Sequence, residues 1–317
     1  MIEVSHLSRF YGDHRAVDDV SFTIASNTIV GFLGLNGAGK TTTLKVIAGL
    51  LPPSAGTVRV DGEDLASAPE SFRKRIGFLP ETPPLYVEQT VREFLRFVGR
   101  LRGMPAATVE ARLPDVMTRC QLQGREDWVI GQLSHGYRKR VGIAQAIIHQ
   151  PKLVILDEPI SGLDPVQIVE MRKVIRGLAQ ECTVLVSSHI LSEIEQTCDR
   201  VLVLQRGKLV FGGTADDLRD RFDSSTTLTA RLLVRGGADA VRDVLTALDG
   251  VSSVELTGEQ DGLVSLQVEM SDDVTEALAA AIVGAGLGLR RIEGDSEELE
   301  DVFVSLTRDA AQAGGAA

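Results

Sequence analysis

The chain has 317 residues, 44% of them hydrophobic and 24% charged, which is enough for two domains, too few for three, and the composition of a soluble globular protein that buries a core without staples. Its net charge of −11 is uneven: from residue 221 onward 18 acidic residues face 7 basic ones while the preceding part is balanced, so the acidic part repels a phosphate backbone and nucleic acid is not an expected partner. No run approaches the roughly 18 to 20 apolar residues of a membrane span, residues 1–10 lack the pattern of a signal peptide, and Cys120, Cys182 and Cys198 form no CxxC pair, which argues against disulfides and a thiolate metal site and fits a reducing cytoplasm.

In chain order, the apolar runs 29–33, 153–156, 183–186 and 201–204 read as strands buried on both faces. Residues 88–150 hold few strand-like runs and read as a helical insertion, and 165–180, opening at Pro165, reads as a helix. Strands alternating with helices predict an α/β fold with a parallel sheet over residues 1–220. Thr214 to Asp217 is a capping box that opens a short helix. The charge shift then marks a boundary near 220. Beyond it the pattern predicts strand 226–234, helix 238–248, strands 251–257 and 263–269 joined by a hairpin at 258–262, helix 273–285, strand 287–292 and helix 296–308. The order βαββαβ is that of a small α+β, ferredoxin-like domain over 225–309. Residues 310–317 are expected to be disordered.

The run Gly34-Leu-Asn-Gly-Ala-Gly-Lys-Thr41 fits GxxxxGK[ST], follows a predicted strand and opens a predicted helix, which is the context of a P-loop. Gly34, Gly37 and Gly39 let the backbone curl so that its N–H groups face phosphate oxygens, and the helix N-terminus adds its positive end. Lys40 supplies a full charge to the β- and γ-phosphates, and Thr41 a hydroxyl to Mg²⁺. Residues 153–158 are four apolar residues ending in Asp157 and Glu158. In an α/β sheet such residues emerge at the carboxyl end of a strand, beside the P-loop. Asp157 is placed to hold Mg²⁺ through water, and Glu158 to accept a proton from an attacking water.

Other runs carry a resemblance. Leu133-Ser134-His135-Gly136-Tyr137 resembles the signature motif of ABC ATPases, Ser161-Gly162-Leu163-Asp164 their D-loop, Ser188-His189 their switch histidine, and Tyr11 the aromatic that stacks on adenine. The set falls in the family's order and covers residues 1 to about 215. The resemblance implies ATP and Mg²⁺ as cofactors, with Asn36, Ala38 and Thr42 joining the nucleotide-binding loop. It implies that two nucleotide-binding subunits, expected to be two copies of this chain, face each other head to tail. Ser134 and Gly136 of one would then contact the γ-phosphate held by the other, and His189 would sense it. Glu81 stands where many relatives carry the Q-loop glutamine, and its carboxylate keeps an oxygen for Mg²⁺ or water. His135 and Tyr137 replace the usual Gly and Gln. These departures, with the tail Leu299 to Thr307, resemble the ATP-binding subunits of ABC-2 type exporters. That branch implies a polytopic membrane permease as partner and a peripheral position on the cytoplasmic face of the inner membrane. Leu85, Tyr86, Val91, Phe94, Leu95 and Phe97 offer apolar surface to that partner, although Phe94 and Phe97 also read as core. A non-transport ABC ATPase and an ATP-gated binding module are the competing readings. The first usually carries two P-loops or a long heptad arm, and this chain has neither.

Overall fold

The computed structural model describes residues 1–218, 228–260 and 262–295. The chain divides into two compact units, one within Met1–Ala215 and one within Asp216–Ala317. The first unit opens with β1 (Ile2–Tyr11), β2 (His14–Ile24), β3 (Ile29–Leu33), α1 (Lys40–Ile47), β4 (Ala55–Val60), β5 (Glu63–Asp64), α2 (Pro69–Lys74) and β6 (Ile76–Leu79). Three helices follow, α3 (Val91–Leu101), α4 (Ala106–Arg119) and α5 (His135–Ile147), where the sequence predicts a helical insertion. It closes with β7 (Leu153–Leu156), α6 (Pro165–Leu178), β8 (Thr183–Ser188), α7 (Leu191–Thr197), β9 (Arg200–Gln205) and β10 (Lys208–Gly213). Residues 215–218 are helical.

The central sheet has the order β10-β9-β3-β8-β7-β6. From β9 to β6 its pairs are parallel, and β10 joins β9 antiparallel. β3, β7 and β8 are buried at every position, which is why they read as unbroken apolar runs rather than alternating ones. On one side Leu44, Ile47 and Phe72 pack with Phe32 and with Leu7 and Val20 of a second sheet. On the other, Phe94, Leu95, Val116, Ile143 and Ile175 form a separate core. The helices over this core carry their own start signals. Thr90 and Glu93 form a reciprocal capping box on α3. Asp164 caps α6, whose first residue is Pro165.

The second sheet, β2-β1-β4-β5, is antiparallel and was not predicted from the sequence. Register shifts break β1 between Val4 and Leu7 and again between Leu7 and Arg9, so its apolar residues lose the period of two by which a half-buried strand is read.

The second unit runs β11 (Leu228–Arg235), α8 (Ala238–Thr246), β12 (Val251–Gln260), β13 (Leu263–Met270), α9 (Thr275–Gly284) and β14 (Gly288–Asp295). Its antiparallel sheet has the order β12-β13-β11-β14. Alternate residues of β13, Val264, Leu266, Val268 and Met270, meet Val241 and Leu245 of α8 and Leu278 and Ile282 of α9 in one core. The predicted helix 296–308 and the tail 310–317 lie outside the described residues, as does residue 261 of the hairpin.

One buried histidine makes the first unit sensitive to acid. His149, just past α5, donates from Nε2 to the carbonyl oxygen of Ile76 at 3.1 Å, and its Nδ1 is buried with no partner. Burial, with the Arg102 guanidinium nearby, pushes its pKa from 6.5 down to about 4. Between those values the unfolded chain binds a proton that the folded chain does not. Stability from this site is therefore complete above about pH 6.5 and is lost as the pH falls towards about 4. His149→Gln is expected to flatten this part of the pH profile. Urea midpoints measured at several pH values check it, and parallel profiles for wild type and variant would refute it.

Candidate functional site

In the central sheet β3, β8 and β7 are neighbours and parallel, so the segments that follow them emerge at one edge. After β3 the chain turns through residues 34–39 into α1. A Cβ on Gly34 would lie 2.6 Å from the carbonyl oxygen of Leu204. Gly39 has φ +102° and would press a Cβ to 2.3 Å from the carbonyl oxygen of Ala16. Only glycine fits either position. Lys40, the first residue of α1, is 6% exposed. Its Nζ donates to the carbonyl oxygens of Gly34 at 2.5 Å and Leu35 at 3.4 Å, and lies 3.5 Å from Oε1 of Glu158. The ammonium is thus held back over its own loop.

Asp157 directly follows β7 and is 1% exposed. Its Oδ1 accepts from Ser187 Oγ at 2.6 Å and from Thr41 Oγ1 at 3.4 Å. Ser187 Oγ also accepts the backbone N–H of Glu158 at 2.9 Å, so one hydroxyl in β8 fixes both acids. Glu158 has φ +48°, a left-handed conformation that costs a non-glycine residue about 1–2 kcal/mol. Its Oε2 accepts from Nδ1 of His189 at 3.0 Å. His189 is placed in turn through its neighbour: Ser188 Oγ donates to the buried Glu193 carboxylate at 2.8 Å and accepts the N–H of Ile190 at 3.0 Å.

A cavity of about 430 Å³ opens over this edge. Of the predicted residues, Tyr11, Asn36, Gly37, Gly39, Lys40, Thr41 and Thr42 line it, as do Glu81, Glu158 and His189. Asp157 lies behind Thr41, Ala38 is buried in the core, and Gly34 contributes its carbonyl to Lys40. Ser134 and Gly136 are not among the lining residues. Ser134 caps α5 by accepting from the N–H of Tyr137 at 3.4 Å, and Gly136 lies against Gln167, whose Oε1 would be 2.5 Å from an added Cβ.

Ser161, read in the sequence as part of the D-loop, also lines the cavity, and sequence reasoning missed His14 in the lining, together with Ser187, Glu193 and Lys139. Ser187 had a signal, a hydroxyl ending an apolar strand just before His189. Lys139 had none, because Arg138-Lys139-Arg140 looks like an ordinary solvated run. It is 1% exposed, and its Nζ donates to the carbonyl oxygens of Glu81 at 2.7 Å and Glu158 at 3.0 Å. Burial lowers its pKa against the opposing pull of the Glu81, Glu158 and Asp157 carboxylates. The apolar surface expected of Leu85 to Phe97 is narrower in the structure. Val91, Phe94 and Leu95 are buried, on the inward stripe of α3, and cannot meet a partner. Tyr86 and Phe97 are exposed, with rings 5.4 Å apart, and Leu101 is 73% exposed.

A glycine-rich loop opening a helix, with a buried aspartate and a strained glutamate after another parallel strand of the same sheet, defines a P-loop nucleotide-binding protein. The profile of the ABC transporter family matches residues 17–161. The bacitracin transport ATP-binding protein BcrA of Bacillus licheniformis is 34% identical, over 90% of this chain and 98% of its own length. The Nod factor export ATP-binding protein I of Burkholderia lata is 34% identical, over 96% of each. A solved ATP-binding subunit of an ABC transporter superposes with a TM-score of 0.63 at 37% identity, covering 70% of this chain and 93% of that one. The chain belongs to the ABC transporter family as an ATP-binding, ATPase subunit. Among the described residues no helix is long and apolar enough to cross a membrane.

Ser187→Ala leaves a buried carboxylate short of a donor and the Glu158 N–H short of an acceptor. It is expected to destabilise the first unit by about 2 kcal/mol, measured by urea unfolding. An unchanged midpoint would show that Ser187 does not support the two acids.

Proposed function

We propose that this chain drives an ABC-2 type exporter: it binds and hydrolyses ATP, and a separate polytopic membrane subunit carries the substrate. The observation that carries the hydrolytic reading is Glu158, held between Lys40 and His189 at the mouth of the P-loop cavity. The export reading is supported by the bacitracin transport and Nod factor export relatives, which match along nearly their whole lengths.

In this reading the N–H groups of the loop and Nζ of Lys40 hold the β- and γ-phosphates. Tyr11, also in the lining, offers a ring for adenine, with the Arg9 guanidinium 4.9 Å from its centroid. Glu158 takes the proton of the water that attacks the γ-phosphorus, and His189 orients the carboxylate as it does so. Mg²⁺ fits the donor set. A buried carboxylate whose side-chain partners are the Ser187 and Thr41 hydroxyls offers the hard oxygens this ion prefers. Thr41 and Asp157 would hold it, with Glu81 on the cavity wall, and bound there it would neutralise phosphate charge.

Ser134 and His135 are exposed away from that cavity, which supports a head-to-tail pair in which each copy offers Ser134 and Gly136 to the nucleotide of the other. Tyr86, Phe97 and Leu101, beside a groove of about 470 Å³ lined by Leu50, Phe78, Pro80 and Pro84, form the surface that receives the membrane subunit. That assembly sets the chain peripherally on the cytoplasmic face of the inner membrane. The domain division is drawn at about 220. The later domain is read as a ferredoxin-like regulatory or dimer-stabilising unit, supported by its βαββαβ order and by the sheet order β12-β13-β11-β14.

Glu158→Gln is expected to bind ATP, hydrolyse it at least about 100-fold more slowly and accumulate as a dimer, whereas Lys40→Ala loses ATP affinity. Turnover at the normal rate by Glu158→Gln would remove Glu158 from the chemistry. Tagged Glu158→Gln protein, recovered from detergent-solubilised membranes with Mg²⁺-ATP, should bring down a polytopic membrane protein in near-equal amount, and Leu101→Glu should lower that recovery. Recovery of soluble partners alone would overturn the transporter assignment.

A further inference from the structure

Lys139 lies on α5, the helix that Ser134 caps, yet its charge is turned inward and meets no carboxylate directly. Its Nζ donates to two backbone carbonyls, that of Glu81 beyond β6 and that of Glu158 beyond β7. Withdrawing an ammonium from water is costly, and two charge-assisted hydrogen bonds offset only part of it. The helix does not need this contact to stay in place, because Val141, Ile143, Ala144 and Ile147 anchor it in the apolar core.

The residue that does need it is Glu158. At φ +48° its backbone occupies a region disfavoured for a side chain with a Cβ, and Pro159 follows it, which biases the preceding residue towards extended backbone. Such a conformation persists only where the surroundings hold it. Three bonds do so here. Ser187 Oγ accepts the N–H of Glu158 at 2.9 Å, and the Glu158 carbonyl accepts from Lys139 Nζ at 3.0 Å and from the Ser161 N–H, three residues on in its own turn, at 3.3 Å.

We propose that Lys139 is a positioning residue for hydrolysis: by clamping the carbonyls of Glu158 and Glu81 it fixes the backbone from which the Glu158 carboxylate reaches into the P-loop cavity. This rests on the reading of Glu158 as the hydrolytic carboxylate. The clamp also joins three segments that lie apart in the chain. A shift of α5 would be transmitted to the hydrolytic carboxylate through one side chain.

The test uses the full-length chain and measures ATPase rate, ATP affinity and thermal stability for Lys139→Met, Lys139→Gln, Glu158→Gln and the double variant Lys139→Met/Glu158→Gln. Lys139→Met keeps the apolar stem and removes the donor. It is expected to lower kcat at least about 30-fold while the Kd for ATP changes less than about 3-fold. Lys139→Gln, with an uncharged amide donor, is expected to recover much of the rate. The double variant should be no slower than Glu158→Gln alone, because the clamp acts through that carboxylate. A wild-type rate for Lys139→Met would overturn the proposal. So would losses of rate and affinity in equal proportion with no recovery by Lys139→Gln, the pattern of a merely structural residue. If Lys139→Met does not fold, Lys139→Arg, which keeps the charge but moves the donors, should be slow at normal ATP affinity, and a wild-type rate there would refute the clamp. Slow turnover by Glu158→Gln beside fast turnover by Lys139→Met would sink the clamp alone. Fast turnover by Glu158→Gln would sink the reading beneath it.

Discussion

Charge withdrawn from water at one edge of a parallel sheet is the constraint around which the first unit is organised. Lys40, Asp157 and Lys139 are all buried there, and each would cost several kcal/mol if left unpaired. Each is met by a different device. Lys40 has two carbonyls of its own loop and the Glu158 carboxylate, Asp157 has two hydroxyls, and Lys139 has two carbonyls. None of these contacts is optional once the charges are inside. They oblige the loop after β3, the ends of β6, β7 and β8, and the helix α5 to arrive together. Glycine at 34 and 39 is the backbone side of the same requirement, since any Cβ there would collide with a carbonyl oxygen.

Much of this edge was legible in the sequence because its two halves are local. A glycine-rich loop and an apolar run ending in two acids each announce themselves within eight residues. Strands buried on both faces were equally plain, since burial on both sides leaves no polar interruption. The antiparallel sheet was not, because bulges in β1 shift its apolar residues off the period of two. Lys139 was hidden for a different reason. Its place is decided by carbonyls 58 and 19 residues away along the chain, and nothing in a run of three basic residues marks the middle one as buried. Phe94 and Phe97 lie on one helix three residues apart, yet one is in the core and the other is exposed, because three residues turn the helix about 60° short of a full circle and set Phe97 at the margin of the buried stripe.

The unusual residues of the 133–137 run are used in the packing of their own subunit. The Tyr137 ring has the guanidinium carbons of Arg125 and Arg140 each 5.2 Å from its centroid, and Arg125 also sits 4.0 Å from the centroid of the Trp128 ring. The stack fixes the start of α5 through cation–π contacts rather than through an amide. His135 lies beside Gly162, and Gly136 beside Gln167 of α6. The same short run thus faces outward at Ser134 and inward at Tyr137, and its outward side is referred directly to the segment that follows Glu158.

The cysteines, unimportant to the chemistry, make the molecule convenient to instrument. All three thiols are free, and burial pushes Cys120 up to about 12, Cys182 up to about 11, and Cys198 higher still than an ordinary thiol. Because the thiolate is the reactive form, and Cys120 and Cys182 are buried and Cys198 partly so, all three are expected to react more slowly than a surface thiol. A cysteine introduced at an exposed position such as His135 would be the one fast-reacting thiol among the described residues. Spectroscopic probes or bifunctional crosslinkers can therefore be attached at a chosen point without first stripping the chain of its own sulfur.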